Sequence, residues 1–279
     1  MIAYPLHLII GPFVQYPFEK LILKTTQIGG LVFSLFYLRG TAALSLKALG
    51  LKPADGNGTA GLLKGFTAGF VILALLILSL MLLGIYTLHP GRIMTWEAVS
   101  LVIIKAVMTG LAVGLLEEIL FRGALLPGLM LRTNAATAVV TISLVYAAAH
   151  FIDYPPPASP EAITWLTAPT LFLHAYDGIV NPGFFDALAS LFLLGLLLSL
   201  VRIRSGNIIQ CIGLHAGLVA AVKISRYFTM YVPGNRFDYL VSNYDHRLGW
   251  LAALWLAAAI LVYYFIYIRK RPEHRKATI

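Results

Sequence analysis

The chain has 279 residues, of which 59% are hydrophobic and only 12% charged, against about 25% charged residues in an ordinary soluble domain. Too little polar surface remains to keep a fold of this length dispersed in water, so a protein held in lipid is expected. The formal net charge of +9 does not by itself mean a nucleic-acid partner, and none is expected, because in a membrane chain the placement of Lys and Arg matters more than their sum.

The first 45 residues hold a short apolar piece and, beyond Glu19, Lys20 and Lys24, a second apolar run from about 27 to 38. One spanning helix is expected there. The start "MIAYPLHLII" lacks a basic n-region and no clean small-residue cleavage site follows, so this end is expected to stay on the mature protein. Further runs at 66–87, 100–121, 134–151, 184–201, 206–222 and 248–268 approach or exceed the roughly 18 to 20 apolar residues that cross a bilayer. The fold class read from this pattern is all-α, a polytopic transmembrane helical bundle of about seven spans, forming one integral membrane domain over 1–279. Pro and Gly are read as clustering only in loops such as "KPADGNG" and "DYPPPASP", with no internal repeat or phosphate-binding loop. Cys211 is the only cysteine, which excludes an intramolecular disulfide and a thiolate metal cluster.

Basic residues gather at Arg39, Lys47, Lys52 and Lys64, at Arg132, at Arg202 and Arg204, and in the tail "RKRPEHRK" within 269–279. Placing these groups in the cytoplasm lets the spans alternate, and puts the 152–183 connection, with Asp153, Glu161, Asp177 and no Lys or Arg, on the other side. A multi-pass protein of a bacterial-type plasma membrane with a cytoplasmic C-terminus is expected. The 223–247 connection goes against this pattern, since it should lie outside yet carries Lys223, Arg226, Arg236 and Arg247.

The segment "LLEEILFRGALL", 115–126, places two glutamates and an arginine inside an apolar run. Each such charge costs about 2.5 to 3.5 kcal/mol at mid-helix, so partners are required. Glu118 and Arg122 stand four apart on one helical face and can form an ion pair. Glu117 points about 100° away and cannot share that arginine in the same way. A structural pair explains Glu118 and Arg122 and leaves Glu117 unexplained.

Two histidines lie in later apolar runs, His150 in "LVYAAAHF" and His215 in "CIGLHAGLVA". A lone histidine on an apolar helix is more often a satisfied core residue than a catalyst, but two of them beside an unexplained carboxylate form a candidate site. Glu117 lies about 15 residues before the turn at Arg132 and Thr133, and His150 about 17 after it, so an antiparallel hairpin brings them to similar depth. His215 lies somewhat shallower, within the reach of helix tilt.

These residues resemble the motifs of the CAAX protease and bacteriocin-processing family of intramembrane glutamic endopeptidases, related to the type II CAAX prenyl protease. Its Glu-Glu-x-x-x-Arg motif matches "EEILFR" at Glu117, Glu118 and Arg122. Its Phe-x-x-x-His motif matches "YAAAH", with Tyr146 for phenylalanine and His150 in place. Its His-x-x-x-Asn/Asp motif matches "HAGLV" at His215, with Val219 where the amide or acid belongs. The likeness covers about 100–222. It implies that Glu117 and His150 activate a water against a peptide carbonyl and that His215 stabilises the oxyanion, with Glu118, Arg122 and Tyr146 in support. It also implies a peptide or protein substrate, lipidated or membrane-anchored ones included, and no cofactor. Val219 donates nothing, so Asn207 or a backbone amide is expected to supply a second donor; the Tyr146 hydroxyl is expected to be able to reach a site residue.

Other readings use the same side chains. Two histidines and a glutamate form a familiar zinc set, although no His-Glu-x-x-His spacing is present. A non-catalytic member would act in bacteriocin immunity or scaffolding, and a carrier would relay protons.

Overall fold

An apolar segment in lipid has no water to satisfy its backbone, so it forms a helix. The computed structural model describes residues 2–11, 13–14, 16–39, 49–52, 56–157, 159, 163–177 and 179–268. In chain order its helices are α1 (Ala3–Ile10), α2 (Phe18–Arg39), α3 (Gly58–Leu82), α4 (Trp96–Glu118), α5 (Leu126–Met130), α6 (Ala135–Ala149), α7 (Thr167–His174), α8 (Phe185–Ser205), α9 (Ile209–Phe228) and α10 (Trp250–Tyr263). A π-helical stretch, Ile119–Leu125, joins α4 to α5, and a second, Tyr264–Ile268, extends α10. The fold is an all-α polytopic bundle, and the protein is a multi-pass integral membrane protein.

Among the described residues, four helices have the length and composition to cross a membrane: Gly58–Leu82, Trp96–Met130, Pro182–Ser205 and Trp250–Tyr267. The shorter Ala135–Ala149 is also apolar. The other two expected runs are helical as α2, with charged residues at both ends, and α9, with Lys223 and Arg226 near its end. The expected run 66–87 is corrected. Its helix starts earlier and stops at Leu82, because Gly84 takes the left-handed conformation at φ 72° and turns the chain into a strand. That strand, β1 (Tyr86–Leu88), pairs antiparallel with β2 (Thr229–Tyr231), tying the end of α3 to the end of α9.

Packing around α9 positions the site. Leu62, Gly65 and Gly69 of α3 lie against Gly213, Gln210 and Leu214 of α9 in parallel register, while Gly110 and Gly114 of α4 lie against Ala216 and Ile212 in antiparallel register. The glycines are spaced four apart on all three helices: Gly61, Gly65 and Gly69; Gly110 and Gly114; Gly213 and Gly217. This corrects the reading that glycine clusters only in loops. In lipid, helices associate through close backbone approach, and glycine permits it. α9 is therefore clamped between α3 and α4, while α6 and α10 pack on α8. Large apolar side chains such as Val71, Leu101, Ile104 and Leu254 point outward, where acyl chains are their natural neighbours.

The turn at Arg202–Arg204 shares one end of the bundle with the end of α10, because Arg204 Nε donates to the Tyr267 carbonyl at 2.8 Å. The ribbon β1–β2 and the loop between α9 and α10 lie at the opposite end. The tail 269–279 and Lys47 lie outside the described residues.

A β-carbon at Gly217 would land on the Phe66 backbone, whereas one at Gly61 meets nothing within 4 Å. Overpacking typically costs about 1–3 kcal/mol. Gly217→Ala is expected to lower the thermal midpoint of the purified protein in detergent by several degrees and Gly61→Ala to leave it unchanged; equal midpoints would contradict the clamped packing.

Candidate active site

Thr95 starts α4 by accepting the Ala98 amide on its hydroxyl, and the helix runs unbroken to Glu117 and Glu118. The next turns widen to π geometry, a feature that often marks functional sites. Glu118 and Arg122 are completely buried. Arg122 Nη1 donates to Glu118 Oε1 at 3.1 Å, and Nη2 donates to the Gly195 carbonyl of α8 at 3.0 Å. The guanidinium stands 4.4 Å from the Tyr146 ring centroid. Arg202 Nε donates to the Arg122 carbonyl at 3.2 Å.

Glu118 does more than hold Arg122. Its Oε1 also lies 3.0 Å from His215 Nδ1, so the imidazole donates there and its ring orientation is set by α4. The His215 Nε2 atom then faces Glu117 Oε2 at 3.8 Å. His150 ends α6, with Nδ1 2.9 Å from the Tyr146 carbonyl, which can only accept. Nδ1 therefore carries the hydrogen, and Nε2 stands 4.0 Å from the same Glu117 Oε2. That carboxylate oxygen is buried and has no hydrogen-bond partner. The structure thus brings Glu117, His150 and His215 together, with Glu118 and Arg122 beneath them.

Tyr244, which the sequence did not single out, donates from its hydroxyl to the His150 carbonyl at 2.8 Å and ties the α9–α10 loop to the site. Burial, then the Asp245 and Asp153 carboxylates, raise this hydroxyl above its ordinary range, so it remains a donor throughout neutral pH.

A cavity of about 260 Å³ is lined by His150, His215, Tyr146 and Val219 among apolar side chains that include Leu73 and Leu256. Val219 places an apolar face on its wall one turn beyond His215. The expectations for Asn207 as a second donor and for a Tyr146 hydroxyl reaching a site residue are corrected. Asn207 is consumed in the turn before α9, donating to Ser205 O at 3.1 Å and accepting from the Ile209 amide at 3.1 Å. The Tyr146 hydroxyl is buried without a hydrogen-bond partner, and the ring serves instead as a platform for Arg122. Among the described residues, no three His, Cys, Asp or Glu side chains are grouped so that they could hold a metal ion.

Residues 98–221 match the family model described as type II CAAX prenyl endopeptidase Rce1-like. Over this segment the chain is similar to the Rce1-like family. No curated protein and no solved structure matches it. The Rce1-like segment opens in α4 and closes in α9, so it holds Glu117, Glu118, Arg122, Tyr146, His150 and His215. It leaves out α3 and 222–256, which complete the cavity wall.

Glu118→Gln strands a buried Arg122 and is expected to cost about 3–5 kcal/mol, read as a loss of folded protein and a lower thermal midpoint in detergent. Removing the stranded cation too, in Glu118→Gln/Arg122→Met, should return part of that loss. A single variant as stable as the wild type would refute the ion pair.

Proposed function

We propose that this chain is an intramembrane glutamic endopeptidase, cleaving a peptide or protein with a water activated between Glu117 and His150. The observation that carries the reading is the convergence of two imidazole Nε2 atoms within 4.0 Å of one unpartnered carboxylate oxygen beside an apolar cavity. With Nδ1 of His150 committed to a carbonyl, neutral Nε2 accepts a hydrogen bond, as does the Glu117 carboxylate. A water held by both is oriented and polarised. Glu117 takes its proton as the water oxygen bonds to the scissile carbonyl carbon. His215, with its charge balanced by Glu118, donates from Nε2 to the oxyanion that forms. As the C–N bond breaks, the proton on Glu117 passes to the leaving amine.

The family description names prenyl substrates, and an apolar cavity inside a bundle suits a lipidated or membrane-anchored chain end. The basic end of the bundle faces the cytoplasm in this reading. Val219 leaves His215 as the oxyanion donor among the motif side chains.

The experiment uses the purified chain in nanodiscs with quenched-fluorescence peptides, both prenylated and unmodified. Glu117→Gln, His150→Ala and His215→Ala should each abolish cleavage with little change in thermal midpoint, and their effects should not add. Val219→Asn should hold or raise the rate, since one well-placed donor is worth about 2.7–4 kcal/mol where it is used. Cleavage should also survive strong chelation. Loss on chelation with recovery on added zinc would move the site to the zinc class, and a cellular phenotype retained by Glu117→Ala would make the chain a binder.

A further inference from the structure

The stretch 223–247 carries Lys223, Arg226, Arg236 and Arg247 at the end of the bundle where the distribution of positive charge predicts none. The structure sorts these four. Arg236 lies over the Phe237 ring, 4.5 Å from its centroid, and takes no part in the cavity. Lys223, Arg226 and Arg247 line the same cavity as His150 and His215, accompanied by one carboxylate, Asp245.

Asp245 is already engaged. Its Oδ1 accepts the backbone amides of Arg247 at 2.9 Å and Leu248 at 2.7 Å, and its Oδ2 lies 3.8 Å from Arg226 Nη2. Arg247 stands 4.9 Å from the Tyr86 ring centroid, and its Nε is buried with no hydrogen-bond partner. Among the described residues neither Arg247 nor Lys223 has an ion-pair partner. Three cations against one carboxylate leave an excess of positive charge on an apolar-walled cavity, an arrangement that focuses the field on an entering anion. None of the cluster falls within the Rce1-like segment 98–221, so these residues belong to what this chain adds around the site.

We propose that Arg247 and Lys223, flanked by Arg226, form a subsite that binds a carboxylate of the peptide substrate while its scissile bond rests at Glu117 and the two histidines. The proposal rests on the peptidase reading. A free C-terminus and an acidic side chain offer the same carboxylate, and the planar guanidinium of Arg247 suits it. The cations line one cavity with the two histidines, and Arg247, the least exposed of the three, has its Nε buried there, which favours a peptide carboxylate over a lipid headgroup phosphate.

Binding of a dye-labelled apolar hexapeptide tests this, using the full chain in phosphatidylcholine nanodiscs with Glu117→Gln to prevent cleavage. The free acid is expected to bind about tenfold more tightly than its C-terminal amide, the usual scale for a charge-assisted hydrogen bond. Arg247→Gln should erase that preference and Arg247→Lys should retain part of it. Lys223→Gln alters an exposed, unpartnered side chain and leaves the fold intact, so its expected loss of about threefold keeps the test valid if Arg247→Gln misfolds. An amidated peptide carrying Glu near its end tells the two carboxylate sources apart: restored affinity assigns the subsite to either source, and unrestored affinity to the terminus alone. Equal affinities for acid and amide would overturn the proposal, as would a preference untouched by both the Arg247→Gln and Lys223→Gln variants. A preference that disappears when phosphatidylglycerol replaces phosphatidylcholine would give the subsite to lipid phosphate and overturn it as well. If the preference is found but the wild type cleaves none of the peptides, the peptidase reading falls and the subsite stands.

Discussion

The structure depends on one carboxylate placed where water is scarce. Glu118 is completely buried, and its Oε1 receives both Arg122 and His215. Through Arg122 the same group reaches the Gly195 carbonyl of α8. Three helices distant in sequence are thus joined at one buried carboxyl group, because in a medium of low dielectric an uncompensated charge is more costly than the ordering needed to pair it. The aromatic ring of Tyr146 closes the remaining face of the arginine.

Close backbone packing complements that polar joint. Glycines on α3, α4 and α9 let α9 sit tightly between its neighbours, which sets the height of His215 relative to the end of α4. The network then sets the rotation of the ring. Each device alone leaves a degree of freedom, and together they hold Nε2 near Glu117 without any contribution from a loop. His150 reaches the same oxygen from α6, but it depends on a loop, since Tyr244 holds its carbonyl. The two imidazoles thus approach Glu117 on supports of different rigidity.

The candidate catalytic groups and most of the cavity wall come from different parts of the chain. The Rce1-like segment contributes the glutamates and histidines, whereas α3, the start of α10 and the loop before it contribute most of the remaining cavity wall. Such a division lets the wall change without moving the glutamates and histidines, and Lys223, Arg226 and Arg247 are part of that wall.

The sequence alone determined what local rules control. Apolar runs too long for anything but helices marked the spans, and the i, i+4 spacing of Glu118 and Arg122 implied their contact, because both depend on one helix at a time. Counting residues from a turn also brought Glu117 and His150 to one depth, since rise per residue is constant. The tertiary structure alone decided the rest. Which ring nitrogen meets Glu118, which glycines face another backbone, that Asn207 is spent in a turn and that Tyr146 carries an arginine on its face all depend on helix rotation and crossing. The cations of 223–247 read as an orientation anomaly in one dimension, and only a cavity shared with His150 and His215 places three of them, Lys223, Arg226 and Arg247, beside the site. Helical periodicity specifies which residues share a face, whereas the partner that face meets is set by packing among segments up to about a hundred residues apart, as with Glu118 and His215.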